Sequence, residues 1–261
     1  MEENNVIAFT RGVPPSESFP VKKLEECTLA VLDSDSDRLL QYGKAGGYPP
    51  LRKYFAEQYH VDVERVLIGQ GSLQILDTLV RVSLKPDDYV FLEQPTYDRS
   101  LTIFRRSGVR LVGIDLNQGV LDMEGLEEKL AGGLTPRYFY IIPDFQNPSG
   151  SVLSLAHRKK LIQLAKTYNF LLIEDGPYHD LRYYGEDLPS LFEMAPEQVI
   201  YMSSFSKLIS PGMRVGFMIL PPDLARQVRK FSEDTYINAS YLNQAIAYEF
   251  IRRGWLAQNL Q

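Results

Sequence analysis

Arg65-Val-Leu-Ile-Gly-Gln-Gly-Ser-Leu-Gln-Ile-Leu-Asp-Thr-Leu-Val-Arg-Val-Ser83 changes its hydrophobic period part-way through. Arg65–Ile68 reads as a short apolar strand, whereas from Ser72 onward Leu73, Leu76, Leu79 and Val80 recur on one helical face. Gly69-Gln-Gly71-Ser72 joins the two as a turn, with Ser72 expected as the helix cap. A strand passing directly into a helix is the building unit of an α/β sheet.

The same alternation continues along the chain. Further strands are expected over Tyr89–Leu92, Arg110–Ile114, Tyr138–Ile142, Phe170–Ile173, Val199–Met202 and Val215–Leu220. Helical patterns cover Thr96–Ser107, Met123–Leu130 and Leu155–Tyr168. Ahead of these lie a Pro-rich opening, a helix over Val21–Leu32, a Gly-rich loop and a helix beginning near Pro50, which together read as an arm on the main domain. After Pro222 the pattern is helical and still running at Arg252-Arg-Gly-Trp-Leu-Ala257, so the sequence reads as cut short.

With 261 residues, 44% of them hydrophobic, the chain can bury a large core. Its net charge of −5 has both signs interspersed, which argues against a nucleic-acid or membrane-surface partner and favours small molecules. Cys27 is the single cysteine, which excludes an intrachain disulfide framework and a multi-cysteine zinc site. There is no membrane-length apolar run, and Met1-Glu-Glu-Asn-Asn5 lacks the features of a secretion signal, so the expected location is the cytoplasm.

In doubly wound sheets ligands bind at the carboxyl ends of strands. Gly71 and Ser72 lie at such an end and offer amides and a hydroxyl to an anion at a helix start. A plain turn with a helix cap accounts for the same residues. Phe170-Leu-Leu-Ile-Glu-Asp-Gly-Pro-Tyr178 ends a strand in two acids that the pleat sends to opposite faces, so at most one enters a given site. A turn-capping carboxylate is the alternative reading of Asp175, and a core aromatic that of Tyr178. Pro143-Asp-Phe-Gln-Asn-Pro-Ser-Gly150 is a turn segment, and Tyr97 follows a strand where it can pack in the core or stack on a planar ligand. Lys207 ends another strand; most lysines are solvated surface charges, but Ser204, Ser206 and Arg214 around this one suit a phosphate. Cationic neighbours and partial desolvation lower a lysine pKa, as a nucleophilic amine requires. A reactive amine, a phosphate cradle and a strand-end carboxylate together match pyridoxal phosphate, whose aldehyde needs a lysine and whose pyridinium nitrogen needs an acid.

From Ile7 onward the chain resembles the fold-type I pyridoxal-phosphate aminotransferases of class I/II, in the branch of 2-aminoadipate and kynurenine aminotransferases and the aminotransferase-like domains of MocR-type regulators. The ordered motifs are Gln41-Tyr-Gly…Gly47…Leu51-Arg52, Gly71-Ser72, Pro95-Thr-Tyr97, Asn147-Pro-Ser-Gly150, Asp175-x-x-Tyr178 and Ser204-Phe-Ser-Lys207 with Arg214. The resemblance implies a three-layer α/β sandwich with a mostly parallel seven-stranded sheet. It implies residues 1–35 as an N-terminal arm and part of a small domain, 36–261 as the cofactor-binding large domain ending in a helix, and a missing C-terminal small domain that would carry the arginine for the substrate α-carboxylate.

By the same resemblance Lys207 is the Schiff-base lysine and proton shuttle, Asp175 the pyridinium partner, and Asn147 and Tyr178 the ligands of the phenolic oxygen. Tyr97 would stack on the ring. Gly71, Ser72, Leu73, Ser204, Ser206 and Arg214 would hold the phosphate, and Tyr42 would reach the phosphate of the other subunit of a homodimer. The implied reaction moves an amino group between an L-amino acid and a 2-oxo acid. Its alternatives are β-elimination on the same cofactor, a regulator-like binding domain, and an inactive fragment. Leu73 departs from the polar residue many relatives carry, and Arg11 replaces a glycine that relatives often carry, where it would crowd the substrate pocket, bind an acidic side chain or simply be exposed.

Overall fold

The computed structural model describes residue 12 and residues 14–260; Arg11 lies outside the described residues. Among these, eight strands form one sheet: β1 (Val66–Gly69), β2 (Tyr89–Gln94), β3 (Arg110–Asn117), β4 (Val120–Leu121), β5 (Tyr138–Ile141), β6 (Leu171–Asp175), β7 (Val199–Ser204) and β8 (Gly216–Ile219). The α-helices are α1 (Val21–Leu39), α2 (Pro49–Gln58), α3 (Ser72–Ser83), α4 (Asp98–Arg106), α5 (Met123–Ala131), α6 (Leu155–Thr167), α7 (Leu191–Met194), α8 (Pro222–Thr235), α9 (Tyr241–Arg252) and α10 (Trp255–Asn259).

The spatial order is β1-β8-β7-β6-β5-β2-β3-β4. All seven expected strands are present, and the expected count is corrected to eight by β4, which pairs antiparallel with the end of β3. A two-residue strand is too short to show an alternating pattern, and only its turn at Gln118 and Gly119, with φ of 52° and 83°, marks it. β2, β3, β5, β6 and β7 run parallel, while β8 lies antiparallel between β7 and β1. The carboxyl ends of β1, β2, β5, β6 and β7 therefore share one edge of the sheet, and β8 starts there.

Strand side chains alternate between two cores. Leu67, Tyr140, Ile173, Ile200 and Met218 pack with α3, α4 and α8. Ile68, Phe139, Leu172, Tyr201 and Phe217 pack on the other face against helices that include α2, α6 and α9. Helices on both faces of a mostly parallel sheet give the expected three layers. Each fully buried leucine or phenylalanine contributes roughly 1.5–3 kcal/mol, so both faces of the sheet are anchored. α1 runs past its expected end at Leu32, with a break at Asp35 (φ −146°, ψ 25°), where the Tyr48 hydroxyl donates to the Asp35 carboxylate at 3.0 Å. Among the described residues no helix is long and apolar enough to cross a membrane.

Candidate active site

Most of the expected site residues sit at the carboxyl edge of the sheet. Asp175 is the last residue of β6, buried at 4% exposure. The pleat sends its neighbour Glu174 to the opposite face, where the carboxylate accepts the Leu191 and Phe192 amides at 3.2 and 2.8 Å and caps α7. Only Asp175 thus faces the layer of α3 and α4. Its Oδ2 accepts a 2.5 Å bond from the Tyr140 hydroxyl, while Oδ1 is buried with no hydrogen-bond partner among the described residues. Burial pushes the Asp175 carboxyl up to about 6, against the lowering effect of Tyr140.

Tyr178 follows β6 and Asn147 follows β5, and the Asn147 side chain lies close enough to act on the Tyr178 hydroxyl. Burial and the Asp175 charge raise the Tyr178 hydroxyl above its ordinary value, and Asn147 opposes them. Tyr97, half-buried at the start of α4, is raised by burial and by the same Asp175 charge, which places it within the electrostatic reach of this carboxylate.

Lys207 follows β7, partly buried, and its ammonium donates to the Gly12 carbonyl. Desolvation lowers its pKa. Arg214 stands in the left-handed region at φ 50°, a conformation that costs a non-glycine residue energy and aims its side chain back across the turn. Its guanidinium donates to the Gln70 carbonyl at 3.1 Å and, at 3.5 Å, to the Ser206 hydroxyl.

Gly71, at φ 81°, caps α3, so Ser72 is the first helical residue and not the cap expected from sequence. No side chain caps this helix start, which leaves its first amides available to an anion. Two glycines permit the arrangement: a Cβ on Gly71 would collide with the Arg214 guanidinium, and one on Gly216 with the Ser72 amide. Leu73 packs partly buried against the α3 side of the core. Ser204 is buried and lines a cavity of about 400 Å³ walled by Tyr54, Phe205, Leu208 and Phe217, which are not among the expected site residues. Tyr42 is 79% exposed and contacts none of these groups by hydrogen bond.

Several side chains that hold the edge together escape a sequence reading. Gln146 donates to Glu93 and to the Pro95 carbonyl at 3.3 and 2.9 Å and accepts the Ser149 amide, clamping the Asn147 loop to the Tyr97 loop. Asp144 accepts from Arg158 and Arg182 at 2.7 and 3.0 Å and pairs with His179 at 2.9 Å, tying the Asn147 loop to the turn that carries Tyr178. Burial alone would raise the Asp144 carboxyl, yet His179 and Arg158 hold it below its ordinary value. Their partners come from distant parts of the chain, so only a contact map reveals them.

Burial pushes the Glu93 carboxyl up to about 8, against the Ile142 amide and Gln146. Since that value lies above the ordinary 4.5, the neutral acid contributes stability that is complete below pH 4.5 and is lost as pH rises through about 8. Thermal melting from pH 5 to 9 is expected to show a midpoint that falls between pH 5 and about 8 and levels off above it, a slope that Glu93→Gln flattens. An unchanged slope in the variant would remove Glu93 as its source.

The family model described as aminotransferase class I and II matches residues 4–253. The 2-aminoadipate transaminase of Thermus thermophilus is 36% identical over 255 residues, covering 96% of this chain and 64% of that protein. Aromatic-amino-acid aminotransferase 1 of Thermococcus litoralis is 33% identical over 271 residues, covering 100% of this chain and 65% of that protein. The solved structure of the alpha-aminoadipate aminotransferase LysN from Thermus thermophilus, complexed with N-(5'-phosphopyridoxyl)-L-leucine, superposes with a TM-score of 0.91 at 35% identity, covering 97% of this chain and 65% of that one. The chain thus spans a little under two-thirds of the length of these relatives.

Proposed function

This chain belongs to the class I and II aminotransferases, and on that premise we propose that the full-length protein moves an amino group between an L-amino acid and a 2-oxo acid, with pyridoxal 5'-phosphate as cofactor. The observation that carries the reading is the Asp175 carboxylate, one oxygen bonded to Tyr140 and the other buried without a partner among the described residues. A protonated ring nitrogen is the donor that second oxygen lacks. The donor set around it fits the rest of the cofactor.

In this reading Lys207 holds the cofactor aldehyde and later moves a proton at the substrate Cα; desolvation favours the neutral amine that both tasks need. Asn147 and Tyr178 orient the phenolic oxygen, and Tyr97 stacks on the ring. The amides of Gly71, Ser72 and Leu73 at the uncapped start of α3, with Ser204, Ser206 and Arg214, hold the phosphate. When bound, the cofactor supplies an electron sink for the pair left at the substrate Cα. Residues 36–261 are proposed as the cofactor-binding unit and 1–35 as an arm and part of a small domain.

We further propose a homodimer in which Tyr42 reaches the phosphate site of the neighbouring copy; its 79% exposure and the exposed Leu29 and Leu40 on α1 and just after it support this. The cytoplasm is the proposed compartment, supported by the single cysteine. An acidic or aromatic amino acid is the proposed substrate class, in keeping with the names of the relatives, with glutamate and 2-oxoglutarate as one pair. Mixing cofactor-loaded full-length protein with L-glutamate alone is expected to give one equivalent of 2-oxoglutarate per site and no ammonia. Continuous ammonia release would instead identify an elimination or deamination chemistry.

A further inference from the structure

Tyr140 and Ser100 form a buried chain of hydroxyls that ends on Asp175. The Ser100 Oγ donates to the Tyr140 hydroxyl at 2.9 Å, and Tyr140 donates to Asp175 Oδ2 at 2.5 Å. Both residues are fully buried, and the Tyr140 ring is held edge-on by Phe104 of α4 at a centroid distance of 5.8 Å. An ionised carboxylate only accepts, so Tyr140 must direct its single proton to Asp175, and Ser100 must then donate to the tyrosine oxygen. The chain therefore has one polarity, and each bond strengthens the next.

We propose that Tyr140, backed by Ser100, is a positioning residue that fixes the orientation and the negative charge of Asp175, so that the free Oδ1 is presented to the ring nitrogen of the cofactor. The proposal rests on the cofactor reading above. Pinning Oδ2 removes rotation of the carboxylate and leaves one oxygen for a ligand. It also opposes the burial that favours the neutral acid, which could not hold a proton on the ring nitrogen. The ionisable groups facing this pair are Glu93 from β2, Tyr97 at the start of α4 and Tyr178 after β6.

The test compares the full-length wild type with Tyr140→Phe, Ser100→Ala and Tyr138→Phe. Tyr138 is buried on the same face of β5, and its hydroxyl makes no bond to Asp175, so it controls for loss of a buried hydroxyl. Titration of cofactor-free protein with pyridoxal phosphate is expected to show a dissociation constant about tenfold weaker in Tyr140→Phe, the size of one charge-assisted hydrogen bond. The pH midpoint of the visible band of the bound cofactor is expected to rise by about half a unit or more, with a smaller rise in Ser100→Ala and none in Tyr138→Phe. Wild-type affinity and midpoint in Tyr140→Phe, or equal shifts in Tyr138→Phe, would overturn the proposal. Should Tyr140→Phe fail to fold, the Ser100→Ala midpoint decides in the same way.

A cofactor-free arm separates this failure from failure of the functional reading. Carboxyl NMR of Asp175 is expected to titrate at higher pH in Tyr140→Phe than in the wild type. That shift in a protein that binds no cofactor would refute the functional reading and uphold the link between Tyr140 and Asp175. Its absence in a protein that binds cofactor normally would do the reverse.

Discussion

Lys207→Ala is expected to lower amino transfer by the full-length protein at least about 10³-fold, because in the proposed function one side chain is both aldehyde-binding amine and proton carrier. The substitution removes a partly buried amine whose hydrogen bond goes to the Gly12 carbonyl, and no ion pair among the described residues is broken. The fold should therefore be retained, with a melting temperature at or above that of the wild type. The proposed phosphate site at Gly71, Ser72 and Arg214 is untouched, so the variant should still bind cofactor reversibly, without the visible band of the lysine-linked form. Activity within tenfold of the wild type would reassign both roles.

Asp175→Asn is expected to cost about 10² to 10³-fold, the usual penalty for removing one preorganised electrostatic partner of the reacting group. Asparagine keeps an acceptor for Tyr140 but no charge for a ring cation. Stability moves the other way, which separates a chemical defect from unfolding. The carboxyl is pushed up by burial to about 6 from an ordinary 3.8, so its neutral form stabilises the cofactor-free fold fully below pH 3.8. That contribution disappears as pH rises through about 6. At pH 8 the cofactor-free variant, neutral throughout, should melt no lower than the wild type while its turnover collapses. A matching loss of both melting temperature and turnover would point to a structural role for Asp175 instead.

Much of this architecture is written in local pattern. The α3 helix runs from Ser72 to Ser83 as its periodicity predicts, because Leu76, Leu79 and Val80 all bury against the sheet. The strand-end positions of Asp175 and Ser204, with Lys207 in the turn just after β7, follow from apolar runs that stop at polar residues. Elsewhere non-local physics decides. Asp33-Ser-Asp-Ser-Asp37 has the composition of a helix end and α1 does break within it, at Asp35, but helix resumes to a buried Leu39 that no local pattern marks. The α3 cap moves to Gly71 because a left-handed residue is required beside Arg214, which no pattern in Gly69-Gln-Gly71-Ser72 specifies. Tyr140 looks like one more apolar member of its strand; its hydroxyl acquires meaning only when β5, β6 and α4 bring Asp175 and Ser100 to it. The Asp144 hub joins Arg158, His179 and Arg182 for the same reason, since partners far apart in sequence leave no periodic trace.

The most direct test of the central claim is reduction of the cofactor-treated full-length protein with borohydride, followed by peptide mapping. The structure predicts a stable phosphopyridoxyl label confined to the peptide bearing Lys207 and absent from Lys207→Ala. A label that is missing from the wild type, or that persists on another lysine in the variant, would contradict the assignment of Lys207 and the cofactor site built around it.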